Sequence, residues 1–168
     1  MRNKLVLKYS LVSAFGACTL LFISAYASVN RGADFEDYTS IIIMTSFVLL
    51  LLELRNRLPL VPFFIAFKST FLVSIITIMA SSFVFYYIVK YYNRNVLDMY
   101  KVMFYDMIDH MDFSGETKEV QKNQVSAYGP VLFTIAFVVG GFIKYLFWSC
   151  MISMFLKKDK VDNPDEQY

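Results

Sequence analysis

The sequence predicts an all-α fold: a four-transmembrane-helix bundle with an amphipathic outer segment between helices three and four. Three observations predict it. First, 57% of the 168 residues are hydrophobic and the mean hydropathy is +0.49, more positive than a soluble domain of this size carries. Second, only 18% of residues are charged, below the roughly 25% of an ordinary globular chain, and they cluster at a few places. Third, the apolar residues fall into four long stretches. A hydrocarbon layer about 30 Å thick takes roughly 20 helical residues to cross, at a rise of about 1.5 Å each. In lipid each segment must satisfy its own backbone N–H and C=O groups, so these stretches are expected to be helices.

The four spans are expected at about residues 9–29, 38–54, 63–89 and 130–155. They form a single integral membrane domain over 1–168, with an extracytoplasmic segment at 90–129 and a disordered tail at 159–168. The first span carries no charge inside it. The second is short but very apolar, and borrows Glu53 and Leu54 at its end. Pro59 and Pro62 lead into the third, where proline suits a turn and then a first helical position. Pro130, after Gly129, opens the fourth. The start of the chain also has a basic n-region and a small-x-small site at Ala25-Tyr26-Ala27. Its apolar run is longer than a signal h-region and Lys8 sits where that region would begin, so a retained anchor is expected.

Lysine and arginine set the expected orientation. One set of connections holds Arg2, Lys4 and Lys8, then Arg55, Arg57 and Lys68, then Lys157, Lys158 and Lys160. The opposite short loop has only Arg31, beside Asp34, Glu36 and Asp37. The long 90–129 connection carries five basic and six acidic residues and weighs less, because long loops translocate largely regardless of charge. The expectation is a multi-pass protein of the bacterial inner membrane with both termini cytoplasmic. Tyr86, Tyr87, Tyr91 and Tyr92 close the third span, where amphipathic rings favour headgroup depth.

Within the outer segment, Val96, Tyr100, Met103, Met107 and Met111 recur at three and four residues with aspartates and Lys101 between them. That spacing predicts an amphipathic helix over 96–111 whose Met face is shielded. Residues 112–124 are polar, contain Gly115, and read as a turn followed by a short solvated piece.

Few constellations carry chemistry. Met99, Met103, Met107 and Met111 with His110 have soft-metal character, but Met also fills irregular apolar faces, and one His without a nearby Cys favours packing. Cys18 and Cys150 fall inside spans and form no C-x-x-C pair. Lys144 is the most informative residue, set in the middle third of the last span beside Gly140 and Gly141. An intramembrane charge usually faces protein, water or a polar partner, and the glycines would let another helix backbone come close. Lys144 therefore contacts a lipid phosphate or a partner's carboxylate, or else it snorkels or bonds hydroxyls such as those of Ser74 and Thr77. Glu53, Arg57 and Lys68 gather at the cytoplasmic ends of the second and third spans. There the i, i+4 spacing of Glu53 and Arg57 provides a salt bridge.

No catalytic motif is present, and neither a metal nor a cofactor is expected. The net charge of +2 and the lack of a basic, aromatic-interleaved patch argue against nucleic acid. The expected partners are the lipid bilayer and either a membrane protein or a second copy of the chain. The leading reading is a non-catalytic accessory, anchoring or stabilising subunit. A small oligomeric transporter or channel is the alternative.

Three stretches resemble a bacterial family of small four-span membrane proteins, the domain-of-unknown-function family numbered 4199. They are Leu7-Lys8-Tyr9 leading into Leu11 and Ser13, the run Phe63-Phe64-Ile65-Ala66-Phe67-Lys68-Ser69-Thr70-Phe71, and Pro130 with the closing Leu156-Lys157-Lys158. Ser10, Ala14 and Thr70 stand where that family often has glycine. The resemblance implies a four-span fold and an accessory role beside a polyprenyl-phosphate-type glycosyltransferase.

Overall fold

A computed structural model describes residues 2–27, 35–58, 60–92 and 94–157. Those residues are all-helical: α1 (Arg2–Ala27), α2 (Phe35–Arg57), α3 (Phe63–Tyr87), α4 (Arg94–His110) and α5 (Gly115–Leu156), with a π-helical turn, Ile88–Tyr92, directly after α3. Four of the helices, all but α4, are long and apolar enough to cross a membrane by length and composition. The expected tail at 159–168 and the end of the first expected span lie outside the described residues.

α3 is the central element. α1 runs parallel to it, so that Arg2 lies near Lys68 at one end and Phe22 near Phe83 at the other. α5 runs antiparallel on its other side, with Ser153 near Thr70 and Gly141 near Ile78. α2 closes against α1 and α5, through Lys8 and Glu53 at one end and Ser40 and Tyr145 towards the other. The reason lies in side-chain size. α3 buries Ala66, Ser69, Thr70, Val73, Ser74, Thr77 and Ser81 at three- and four-residue spacing. α1 buries Ser10, Ser13, Ala14 and Ala17, and α5 buries Ser149 and Ser153. Small side chains let backbones approach where no water is available to drive association. The hydroxyls of Ser13, Thr77, Ser81 and Ser149 are buried without a partner among the described residues. Four of the others bond back along their own helix, among them Ser69 Oγ to the Ile65 carbonyl at 2.7 Å, Ser10 Oγ to Val6 at 2.8 Å and Ser74 Oγ to Phe71 at 2.7 Å. A hydroxyl satisfied this way can sit in an apolar interface.

Larger apolar groups fill two cores. One gathers Phe47, Leu50, Leu51 and Leu54 of α2 with Leu5, Val73 and Ile78. The other gathers Leu21, Phe85, Val89, Ile108, Val125 and Phe133 at the end of the molecule that carries α4. Outward stand Phe15, Phe64, Phe83 and Phe155, between 73% and 78% exposed.

The boundaries depart from expectation in informative ways. α1 begins at Arg2 rather than at residue 9, and α2 extends through Arg57. Pro62 is the N-cap of α3, one position before the helix proper. The largest difference is α5, a continuous helix of 42 residues in which Pro130 is internal. The predicted turn exists, but the solvated piece after it is the opening of α5. Ser114 caps that start: its Oγ accepts from the Thr117 N–H, and the Lys118 N–H donates to its carbonyl at 3.0 Å. A proline inside a helix lacks the N–H for one hydrogen bond and crowds the carbonyl four residues back, and it also clashes with the N–H and Cβ of the residue before it. Here that residue is Gly129, which has no Cβ, so that last part of the clash is absent. Gly129 also answers to packing, since a Cβ there would meet Phe133 at 3.2 Å and Leu97 of α4 at 3.3 Å.

α4 matches the expected helix in extent but not in the face it buries. Leu97, Tyr100, Phe104, Tyr105 and Ile108 pack inward, while Met103, Met107 and Met111 are 48%, 50% and 42% exposed. The stripe that includes Tyr100 and Phe104 is turned onto α5 because Phe133 supplies an aromatic counterpart, with ring centroids 5.2 Å from Tyr100 and 5.1 Å from Phe104.

Candidate functional site

On α5, Gly141, Tyr145, Ser149 and Ser153 follow one another at four-residue spacing against α3 and α2. Lys144, one step before Tyr145, sits at the edge of that face. It borders a cavity of about 20 Å³ together with Thr39 and Ile43 of α2, Ile78 and Ser81 of α3, and Gly141 and Tyr145 of its own helix. A void of this size admits one water where polar groups surround it. Four polar side chains border it: Thr39, Ser81, Lys144 and Tyr145. Ser81 Oγ is buried without a hydrogen bond of good geometry, although the Cys18 thiol lies beside it. The Lys144 ammonium makes no ion pair or hydrogen bond among the described residues. Tyr145, its neighbour, shares a 3.0 Å hydrogen bond with Ser40.

The hydroxyls expected beside Lys144 are placed differently. Ser74 bonds the Phe71 carbonyl, and Thr77 Oγ1 is buried without a partner and does not line the cavity. The hydroxyl residues that line it are Ser81, Thr39 and Tyr145. Sequence order could not reveal Ser81 and Thr39, because the helix rotation that brings them to the same cavity as Lys144 is a tertiary property. The two glycines also separate. Gly141 faces Ile78, where a Cβ would make ordinary contact at 3.5 Å, whereas Gly140 faces open space with nothing within 4 Å.

The second predicted cluster is partly assembled. Glu53, 18% exposed, ties α1 to α2. Its Oε2 accepts from Lys8 Nζ at 3.1 Å and from the Tyr9 hydroxyl at 2.7 Å, and its Oε1 meets the Arg57 guanidinium. Lys68 is not a member. It lines an open groove with Arg2 instead. Lys8 and Tyr9 were the missing partners, and their signal was present: both fall at the end of the chain's first helix that the Lys and Arg distribution pairs with Glu53.

At the opposite end, α4 is fastened to the start of α5. Lys122 Nζ donates to the Asp109 carboxylate at 2.7 Å and Lys118 Nζ to the Asp109 carbonyl at 2.8 Å. The Lys122 hydrogen bond holds the Asp109 carboxyl below its usual range. Nearby, Lys90 Nζ donates to the Tyr86 hydroxyl at 2.8 Å and lies 5.0 Å from the Tyr91 ring centroid, within cation–π reach. Among the described residues no group of three His, Cys, Asp or Glu side chains gathers as a metal site. His110 bonds the carbonyl of Asp106 on its own helix at 2.8 Å.

The surface of α5 is the least covered of the four apolar helices. In its most apolar window 11% of residues are buried, against 33% in α1, 44% in α2 and 50% in α3. Val131, Ile135, Val139, Ile143 and Phe147 all stand exposed along it. No family model, curated protein or solved structure matches this chain.

Proposed function

We propose that this chain is a four-span bundle of the bacterial inner membrane, both termini cytoplasmic, that serves as a non-catalytic accessory or anchoring subunit. α4 forms the amphipathic outer segment, resting on the bundle's extracytoplasmic end. The observation that carries the reading is the uncovered face of α5. A helix this apolar, with so little of it packed inside its own chain, presents its remaining face to lipid or to another helix. Gly140 makes that face smooth at one point, which favours close helix approach. An accessory role beside a polyprenyl-phosphate-type glycosyltransferase belongs to the same proposal, on the strength of the sequence resemblance alone.

The test is site-specific photo-crosslinking in native membranes, with the probe at Gly140 or Phe147 on α5 and at Phe15 on α1 as the control. The expected result is a defined protein adduct from both α5 positions and lipid adducts only from Phe15. An adduct to a second copy of the chain would make the complex a homo-oligomer. Lipid adducts alone at every position would overturn the docking role of α5.

A further inference from the structure

Between α1 and α3, at the end of the molecule that carries Glu53, an open groove is lined by Arg2, Val6 and Leu7 on one side and Lys68, Leu72 and Ile76 on the other. Its two ends differ in chemistry. Arg2 and Lys68 stand together at one end, and neither makes an ion pair or hydrogen bond among the described residues. From Lys68 to Ile76 the lining becomes wholly apolar over eight residues of α3, about 12 Å of helix. The contrast with Lys8 is instructive. Lys8, on the same helix, is neutralised by Glu53. Among the described residues, the two cations of the groove have no carboxylate partner.

We infer that this groove binds an anionic phospholipid, its phosphate between Arg2 and Lys68 and one acyl chain along Leu7, Leu72 and Ile76. The charge at one end and the apolar run beyond it complement the two parts of such a molecule in the order a bilayer presents them. A guanidinium accepts a phosphate in bidentate fashion, and an ammonium adds a point charge beside it. A free anion would use the cations but not the apolar lining, and a zwitterionic lipid would use the lining but bring its own cation to Arg2 and Lys68. The inference rests on the membrane reading proposed above.

The experiment measures phosphatidylglycerol retained by the full chain in mild detergent, by native mass spectrometry, against phosphatidylcholine. Arg2→Gln with Lys68→Gln is compared with Lys4→Gln, which removes a like charge two residues away and off the groove. A third variant, Leu72→Trp, fills the apolar part and leaves both cations in place. The double variant is expected to lose affinity by roughly tenfold or more, since each surface cation contributes a few-fold to anionic lipid binding. Leu72→Trp should also lose several-fold, and Lys4→Gln should stay within about twofold of the parent. Millimolar sn-glycerol 3-phosphate should leave the bound lipid in place. Equal losses in Lys4→Gln and the double variant, no effect of Leu72→Trp, or no preference over phosphatidylcholine would each overturn the site. Displacement by glycerol phosphate would make it a headgroup site without a chain groove, which also overturns the inference. Release of the chain from membranes by alkaline carbonate would instead refute the membrane reading beneath it.

Discussion

Phe133→Ala asks whether α4 is held by the face the structure buries. Phe133 is 1% exposed, sits against Gly129, stacks with Tyr100 of α4 and meets Phe104 of α4 at a tilt. Truncating a buried Phe costs about 3–5 kcal/mol in well-packed cores, and each ring pair accounts for about 0.5–1.5 kcal/mol of such a loss. Part of the cost falls on the rest of the core around Phe133, where the Phe85 and Phe137 rings, 4.7 Å apart, remain stacked in the variant. Assigning about 3 kcal/mol to the α4 contact, the undocked population of α4 rises roughly a hundredfold, at tenfold for each 1.4 kcal/mol. Hydrogen exchange in nanodiscs reads this directly. Amides of α4 should exchange about a hundred times faster in Phe133→Ala, while those in the middle of α3 keep their rates. Met107→Ala is the matched control, because Met107 is 50% exposed, and it should change α4 exchange by less than about threefold. A variant pair with the reverse ranking would mean that the Met stripe is the docked face. Fast exchange of α4 already in the parent chain would refute docking altogether.

Three further outcomes are expected. Lys144→Met removes an ammonium without a partner at a small cavity; thermal stability in detergent should hold or rise, by up to about 2 kcal/mol given the cost of an intramembrane charge, and a fall would mean that Lys144 has a stabilising partner. The Asp109 carboxyl is held below its ordinary value of 3.8 by Lys122, so its contribution is complete above that pH and is lost as pH falls through the lower folded value. Exchange at the α4–α5 corner should therefore be flat from neutral pH down to about 5 once intrinsic rates are corrected, and Asp109→Asn should accelerate it at neutral pH. With Cys18 and Cys150 replaced by serine, a single cysteine at Gly115 should label with an impermeant thiol reagent in intact spheroplasts and one at Asn56 should not; the opposite pattern inverts the orientation.

Much of the helix content was legible in the sequence, because apolar runs of sufficient length report a local property. Whether a stretch is long and oily enough to cross a membrane depends on its own residues, and lipid leaves its backbone little choice but helix. The i, i+4 pair of Glu53 and Arg57 was legible for the same reason. Tertiary structure decided the rest. Lys8 lies 45 residues from Glu53, and only the antiparallel packing of α1 on α2 selects it over Lys68 as the carboxylate's partner. The face of α4 was ambiguous by periodicity, since Tyr100 belongs to both a Met stripe and an aromatic stripe; Phe133, on another helix, chose between them. Pro130 reads as a helix start when only its missing N–H is considered. Inside α5 it follows a glycine that removes the Cβ part of the clash, and that glycine packs against Leu97 of α4. Length and hydropathy act within a segment, whereas rotation, pairing and the fate of a proline depend on which neighbours the segment meets.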